Sequence, residues 1–305
     1  MKKIAIIGAN SYIARNMISI LNQTTEEYRL YLYDVSESHI DNLPNYTKID
    51  VTSKESIKNI EFSCDVIFMF VGKTGSENGF REFDTFIDIN EKALLNILNE
   101  YVLQDSKAKI IFPSTRLVYK GQKGILREES EKEFKTIYAM NKFACEQYLE
   151  MFNRVYGVQY CIFRICLPYG TLIPNATSYG TAEFFLSKAS KGESIVLYGD
   201  GSVRRTFTYI GDLCNILIKG AFSNKCTNSI FNVGGEEYSL FEVAKLIANK
   251  YGVGVEFISW PKIAEKIESG DTVFDSSKLD EIFTIYSMKF NEWISLVSNN
   301  SYRSN

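Results

Sequence analysis

Residues Asp65–Val71 read Asp-Val-Ile-Phe-Met-Phe-Val, apolar throughout after the leading aspartate. A strand with one face in water alternates polar and apolar residues. An unbroken apolar run is covered on both faces, as happens in parallel sheets. The chain repeats the pattern: Lys3–Ile7, Leu30–Tyr33, Lys48–Val51, Lys109–Phe112 and Gln159–Arg164 also read as strands. Between them Ser11–Asn22, Phe83–Leu103 and Glu131–Tyr156 carry apolar residues at three- and four-residue steps, the helical period. Strands alternating with helices predict an α/β fold, a doubly wound parallel sheet covered on both sides. Its ligands bind outside the carboxyl ends of the strands.

Near residue 166 the rhythm changes. Glycine, proline and loop residues thicken through Pro168–Gly180, followed by a helix at Thr181–Lys191 and turn-rich sequence through Gly192–Phe207. Ile230–Val233 reads as one more apolar strand returning to the sheet. Ser239–Tyr251 reads as a helix with Ser239 as N-cap, and Ser276–Phe283 and Lys289–Val297 as short helices. The polar tail Ser298–Asn305 is expected to fray. We therefore expect residues 1–166 to form a nucleotide-binding domain to which 208–238 return, with 167–207 and 239–305 forming a smaller, mixed α/β substrate-binding lobe.

A net charge of −3 with no basic cluster argues against nucleic acid, and no lysine-rich amphipathic run argues for a membrane surface. No apolar run nears the roughly 20 residues that span a bilayer. The start runs straight into a strand, so no signal peptide is expected. The six cysteines form no C-x-x-C pair, which fits reduced thiols in a cytoplasm and no metal site. The single histidine, His39, lies in a polar stretch and is expected at the surface. Acid–base chemistry then falls to Tyr, Lys, Asp, Glu or Cys.

Tyr138 and Lys142 stand four apart on a predicted helix and share a face. A free phenol ionises near pH 10, about three units too high for a base at neutrality. A neighbouring ammonium favours phenolate and lowers that value. The pair thus fits a general acid–base, although Tyr and Lys also meet at this spacing by chance in a chain with 19 tyrosines. The first strand runs into Gly8-Ala9-Asn10-Ser11-Tyr12-Ile13-Ala14. A dinucleotide site needs a tight turn there and a helix N-terminus facing the pyrophosphate. The usual three-glycine pattern keeps only Gly8, with small Ser11 and Ala14 in the other places. Asp34 ends the second strand, where a carboxylate accepts the adenosine ribose hydroxyls and repels a 2′-phosphate, favouring NAD over NADP. A capping aspartate would look the same. Asp50 and Val51 end the next strand, within reach of an adenine edge. Ser114 and Thr115 end another, where Thr115 can bond the substrate oxygen that Tyr138 addresses.

In order and spacing these stretches, with FRICLPYG (163–170), YGDGSVRRTFTYIGDL (198–213) and FNVGG (231–235), resemble the extended short-chain dehydrogenase/reductase superfamily. The resemblance is to its NAD-dependent nucleotide-sugar epimerase/dehydratase branch, typified by UDP-glucose 4-epimerase, and it covers nearly the whole chain. It implies a Rossmann-type fold. It implies NAD bound by Gly8, Ser11, Tyr12, Ile13, Asp34, Asp50, Val51, Val71, Gly72, Ser114, Tyr138, Lys142 and Ile165. It implies Thr115, Tyr138 and Lys142 as the catalytic trio. A nucleotide-diphosphate sugar would meet Thr115, Tyr198, Arg205 and Phe207, with Arg205 clamping the diphosphate through its forked donors; Arg204 is adjacent. For Tyr198 and Phe207, core packing is the alternative. Relatives often dimerise through the helices matching Phe83–Leu103 and Glu131–Tyr156, so a homodimer is expected.

The departures narrow the reaction. The family often has Asn where Leu167 stands, and Arg where Glu268 stands; a carboxylate there would repel a diphosphate, which Lys266 can offset. A 4,6-dehydratase carries Asp-Glu after the threonine, and here Arg116-Leu117 follow, which argues against water loss. A 3,5-epimerase/reductase uses Cys and His where this chain offers neither. A 4-epimerase needs only the trio, as does a 4-ketoreductase. A non-catalytic NAD sensor is a third reading.

Overall fold

The computed structural model describes residues 1–297 except 177, 179, 284, 286 and 287; the tail from Ser298 lies outside them. The chain runs β1 (Lys2–Ile7), α1 (Tyr12–Gln23), β2 (Tyr28–Asp34), β3 (Tyr46–Lys48), α2 (Lys54–Ile57) and β4 (Val66–Met69). There follow α3 (Phe83–Ile87), α4 (Ala93–Leu103), β5 (Lys109–Thr115), β6 (Ile125–Leu126), α5 (Ile137–Tyr156) and β7 (Tyr160–Ile165). The remainder is β8 (Leu167–Tyr169), α6 (Thr181–Ser190), β9 (Ile195–Tyr198), β10 (Arg204–Tyr209), α7 (Ile210–Phe222), β11 (Ser229–Asn232), β12 (Glu236–Ser239), α8 (Leu240–Tyr251), β13 (Val255–Ile258), α9 (Lys262–Ile267), β14 (Val273–Phe274), α10 (Ser277–Asp280) and α11 (Phe290–Leu296).

Seven strands form one parallel sheet in the order β11-β7-β5-β4-β1-β2-β3. The chain winds outward from β1 through β2 to β3, then crosses back to β4. The crevice between the carboxyl ends of β1 and β4 is therefore the switch point where a Rossmann sheet takes its ligand. Sheet residues of alternating parity feed two cores. One lies under α1 and α7 and includes Ile4, Ile6, Phe68 and Phe163. The other lies under α4 and α5 and includes Ile7, Ile67, Met69 and Ile110. After β10 the chain adds α7 against the large sheet and β11 at its edge. A third core, around Tyr169, Phe185, Phe207, Ile247, Phe290 and Trp293, joins α6, α8 and α11 to the small sheets. Among the described residues no helix is long and apolar enough to cross a membrane.

Four local expectations change. The helix predicted from Glu131 starts at Ile137, where the Thr136 hydroxyl accepts from Ala139 N. Residues before it include a bridge from Lys132 to Tyr119. The helix predicted over Phe83–Leu103 is interrupted by a π-helical turn at Asp88–Lys92. The third strand is Tyr46–Lys48, so Asp50 and Val51 follow it rather than end it. His39 is buried rather than exposed: its Nδ1 accepts from Asp41 N at 3.1 Å and its ring meets Tyr46 edge-on. Its polar neighbours in sequence concealed that packing. Ser239 does cap α8, in a reciprocal capping box with Glu242.

Candidate active site

The turn after β1 is built for close approach. Gly8 has φ +88°, and a Cβ there would lie 2.7 Å from Phe70 C and Val71 N on β4's continuation. Gly8 and Ala9 both donate to Tyr33 O, which anchors the turn to β2. Ser11 caps α1 by accepting from Ala14 N, so the helix's first amides face the crevice. The Asp34 carboxylate sits across from them, accepting from Asn10 N at 2.9 Å and from Val35 N at 2.8 Å. Tyr12 and Ile13 lie half-buried on α1, and the Tyr12 hydroxyl donates to Gly170 O. Val51 is buried and Asp50 exposed, the latter accepting from Thr52. Val71 and Gly72 continue past β4, and Ile165 ends β7. The chain thus gathers a tight glycine turn, a helix N-terminus and a carboxylate at one crevice. That combination fits a dinucleotide's pyrophosphate and ribose.

Beside it, β5 ends in Ser114 and Thr115. Thr115 is 7% exposed, and its hydroxyl lies near enough to the Tyr138 phenol to favour its ionised form. Lys142, one turn further along α5, donates to Pro113 O at 2.8 Å and lies 4.4 Å from the centre of the Phe112 ring. The trio predicted from sequence therefore meets at the end of one strand. Its electrostatics differ from expectation. Burial pushes the Tyr138 phenol up to about 12, only partly opposed by the nearby Thr115 hydroxyl, and burial draws Lys142 down to about 8. Lys142 turns its protons to a carbonyl and does not act on the phenol, so helical spacing alone does not acidify Tyr138.

Other predicted positions are committed elsewhere. The Ser114 hydroxyl donates to Glu146, a carboxylate that also holds Arg164 at 2.6 Å. Phe207 is corrected from substrate contact to core. It is 1% exposed and packs edge-on against Phe290 and Tyr238, in a strand whose residues 205–208 are all buried. Tyr198 is 42% exposed and leans on Trp260, with 5.3 Å between ring centres. Arg205 is buried, and its guanidinium holds Glu268, Gly270 O and Arg204 O.

Sequence reasoning missed Asn90. The π-helical turn carries it into the space between Gly72 and α5, where its carboxamide bonds Lys73 N and O and Asn141. The available signal was an asparagine four residues from both Phe86 and Leu94, on the helix face that helical spacing makes apolar. Among the described residues no cluster of His, Cys, Asp and Glu could hold a metal ion.

The family model for the NAD dependent epimerase/dehydratase family matches residues 4–234. The chain belongs to this family. Like the family, it is an NAD-dependent enzyme. It is 23% identical to a putative UDP-glucose 4-epimerase of Methanocaldococcus jannaschii over 289 residues, 93% of this chain and 88% of that one. It is also 23% identical to a UDP-glucuronate 4-epimerase of Thermodesulfobacterium geofontis, covering 88% and 80% of the two chains. In fold it superposes on the NAD complex of a Thermus thermophilus UDP-glucose 4-epimerase with a TM-score of 0.84, at 21% identity and 99% coverage of both chains.

Proposed function

We propose that this epimerase/dehydratase-family enzyme is a nucleotide-sugar 4-epimerase. The observation that carries the reading is the convergence of Thr115, Tyr138 and Lys142 at the end of β5, next to a dinucleotide crevice. Arg116 and Leu117 occupy the places where water-eliminating relatives need carboxylates. Gly8, the first turn of α1 and Asp34 would hold NAD, and Lys142 would bind it beside the reacting carbon. Bound NAD supplies the hydride acceptor and donor, together with a positive charge beside the phenol. Thr115 aligns the sugar's C4 oxygen, and Tyr138 takes the hydroxyl proton as the 4-keto sugar forms. After the sugar turns in the pocket, Tyr138 returns the proton to the C4 oxygen from which it came. A ketoreductase would use the same side chains and stop after one direction. The relatives named above make UDP-sugars the first substrates to try, with a homodimer in the cytoplasm as the expected setting.

The enzyme is incubated anaerobically with UDP-, GDP-, CDP- and dTDP-hexoses. A C4-epimerised product without net change in NADH is expected; stoichiometric NADH consumption makes the protein a reductase instead. Tyr138→Phe should lower turnover by about a thousandfold, in keeping with the loss of a positioned acid–base, while NAD still binds. Wild-type turnover in that variant would refute the mechanism.

A further inference from the structure

The chain's single histidine is built into the loop that follows Asp34. Asn10, the third residue of the turn after β1, grips this loop on both sides of it. Its Nδ2 donates to Ser38 O at 3.1 Å, and its Oδ1 accepts from Ile40 N at 2.8 Å. The amide of the same residue donates to Asp34. Turn, carboxylate and loop are therefore one hydrogen-bonded unit. His39 closes the loop from within. It is 2% exposed, its Nδ1 accepts from Asp41 N, its carbonyl accepts from Asn42 N at 3.0 Å, and Tyr46 covers its ring edge-on. A side chain accepting from the amide two residues on is the bond by which aspartate and asparagine make turns.

That bond fixes the proton. Nδ1 accepts only while it carries none, so the neutral ring bears its proton on Nε2. Nε2 is buried and, among the described residues, has no hydrogen-bond partner. A second proton would set one donor against the donor of Asp41 N and leave a charge where water does not reach. Burial is the largest influence on the ring and holds His39 below its ordinary value. Asp41, the Ala9 carbonyl and Asp34 of β2 favour a proton, and Arg15 of α1 opposes it. Asp41 Oδ2 stands 4.0 Å from Nδ1, but Arg15 holds that carboxylate with two bonds, at 2.9 and 2.6 Å. The Tyr46 phenol of β3 is kept neutral by burial and by Asp34.

We propose that His39 is a positioning residue for the NAD site: the neutral ring keeps the loop closed on Asn10 and so holds Asp34 and the Gly8 turn in place for the adenosine half, and a charged ring releases them. The inference rests on the reading that this turn and Asp34 hold NAD. A closed loop that needs a neutral histidine is fully stable above the ordinary histidine value and is lost as pH falls through the lower value of the folded chain. Affinity for NAD is then full above about pH 6.5 and declines in acid, by no more than about tenfold per pH unit for one proton.

The test is calorimetric binding of NAD to the untagged, NAD-free protein between about pH 7.5 and about pH 5.5. The proton NMR signal of the imidazole is followed beside it, and needs no assignment in a chain with one histidine. Wild-type affinity should fall by about tenfold over that range, and NAD should move the imidazole titration to lower pH. His39→Asn puts an oxygen where Nδ1 stands and cannot charge; it should bind NAD within about twofold of wild type at neutral pH and stay level in acid. His39→Leu fills the space without an acceptor and should bind about tenfold more weakly at every pH, the scale of one buried hydrogen bond. A ring that served only as packing would be replaced better by leucine than by asparagine. An imidazole titration unmoved by NAD overturns the proposal, as does wild-type affinity in His39→Leu or a decline in acid that persists in His39→Asn. Asp34→Ala tests the site itself and should weaken NAD by about tenfold or more. If Asp34→Ala binds NAD as wild type does, the dinucleotide reading of this turn fails; if it weakens binding while His39→Asn and wild type share one pH profile, only the role of His39 fails.

Discussion

Glu183 shows how far one side chain can depart from its ordinary chemistry. It lies in the first turn of α6, 3% exposed, and Oε1 accepts from Gly170 N at 2.6 Å. Burial pushes its carboxyl from 4.5 up to about 8. The unfolded chain sheds this proton near pH 4.5, and the folded chain keeps it to about 8. Stability from the neutral form is therefore fully present below about 4.5 and is lost progressively as pH rises to about 8. Glu183→Gln keeps the acceptor and removes the titration. Its melting temperature should exceed that of wild type by roughly 5 °C at pH 8, and the two should converge near pH 4.5. Parallel melting curves across that range would show that Glu183 does not titrate there. Tyr138 follows the same physics: burial raises its phenol to about 12 and favours the neutral form, while burial lowers Lys142 only to about 8, which leaves its ammonium charged at neutral pH.

At the scale of elements, β5, β7 and α5 are tied by one buried polar network. Glu146 on α5 takes Arg164 from β7 and Ser114 from β5, and Arg164 reaches on to Tyr119, which donates to Asn232. Ser114 and Arg164 are register partners in the sheet, so the ion pair crosses from helix to adjacent strands. With Glu146 at 0% exposure, its removal strands a guanidinium out of water. Glu146→Gln should cost about 3–5 kcal/mol and lower the melting temperature accordingly. A change of less than one degree would mean water reaches Arg164. Much of this element order was legible beforehand, because unbroken apolar runs and helical periods come from the local chain. Asp34, Gly8, Thr115 and Tyr138 were legible for the same reason: strand ends and helix faces can be counted. The network was not, since Glu146, Arg164 and Ser114 are far apart in sequence and only the fold makes them neighbours. His39 and Phe207 were misread because nothing nearby in sequence reports which core a side chain will meet. Arg116 reads in sequence only as a missing acid, and its bond to Ser269 is made by the fold.

For the whole molecule, the apolar surface points to a second copy of the chain. Phe83 and Ile87 on α3 and Met140 and Met151 on α5 are each exposed by more than 40%, and the two helices pack side by side. Phe83 and Ile87 are four apart, while Met140 and Met151 are three turns apart, so each pair forms a stripe on its helix. Polar residues would be expected on a face that stays in water. A two-fold dimer would close this face by setting α3 and α5 against the same helices of the partner, as an isologous interface requires. We therefore expect sedimentation at twice the 34.8 kDa chain mass. Phe83→Glu and Met140→Glu place four new carboxylates in such an interface and should return the protein to a single chain. The dinucleotide crevice lies at the switch point between β1 and β4, and neither variant touches it, so NAD affinity should change by less than about twofold. A wild-type protein that sediments as one chain refutes the dimer. A double variant that still sediments at twice the mass puts the contact on another face.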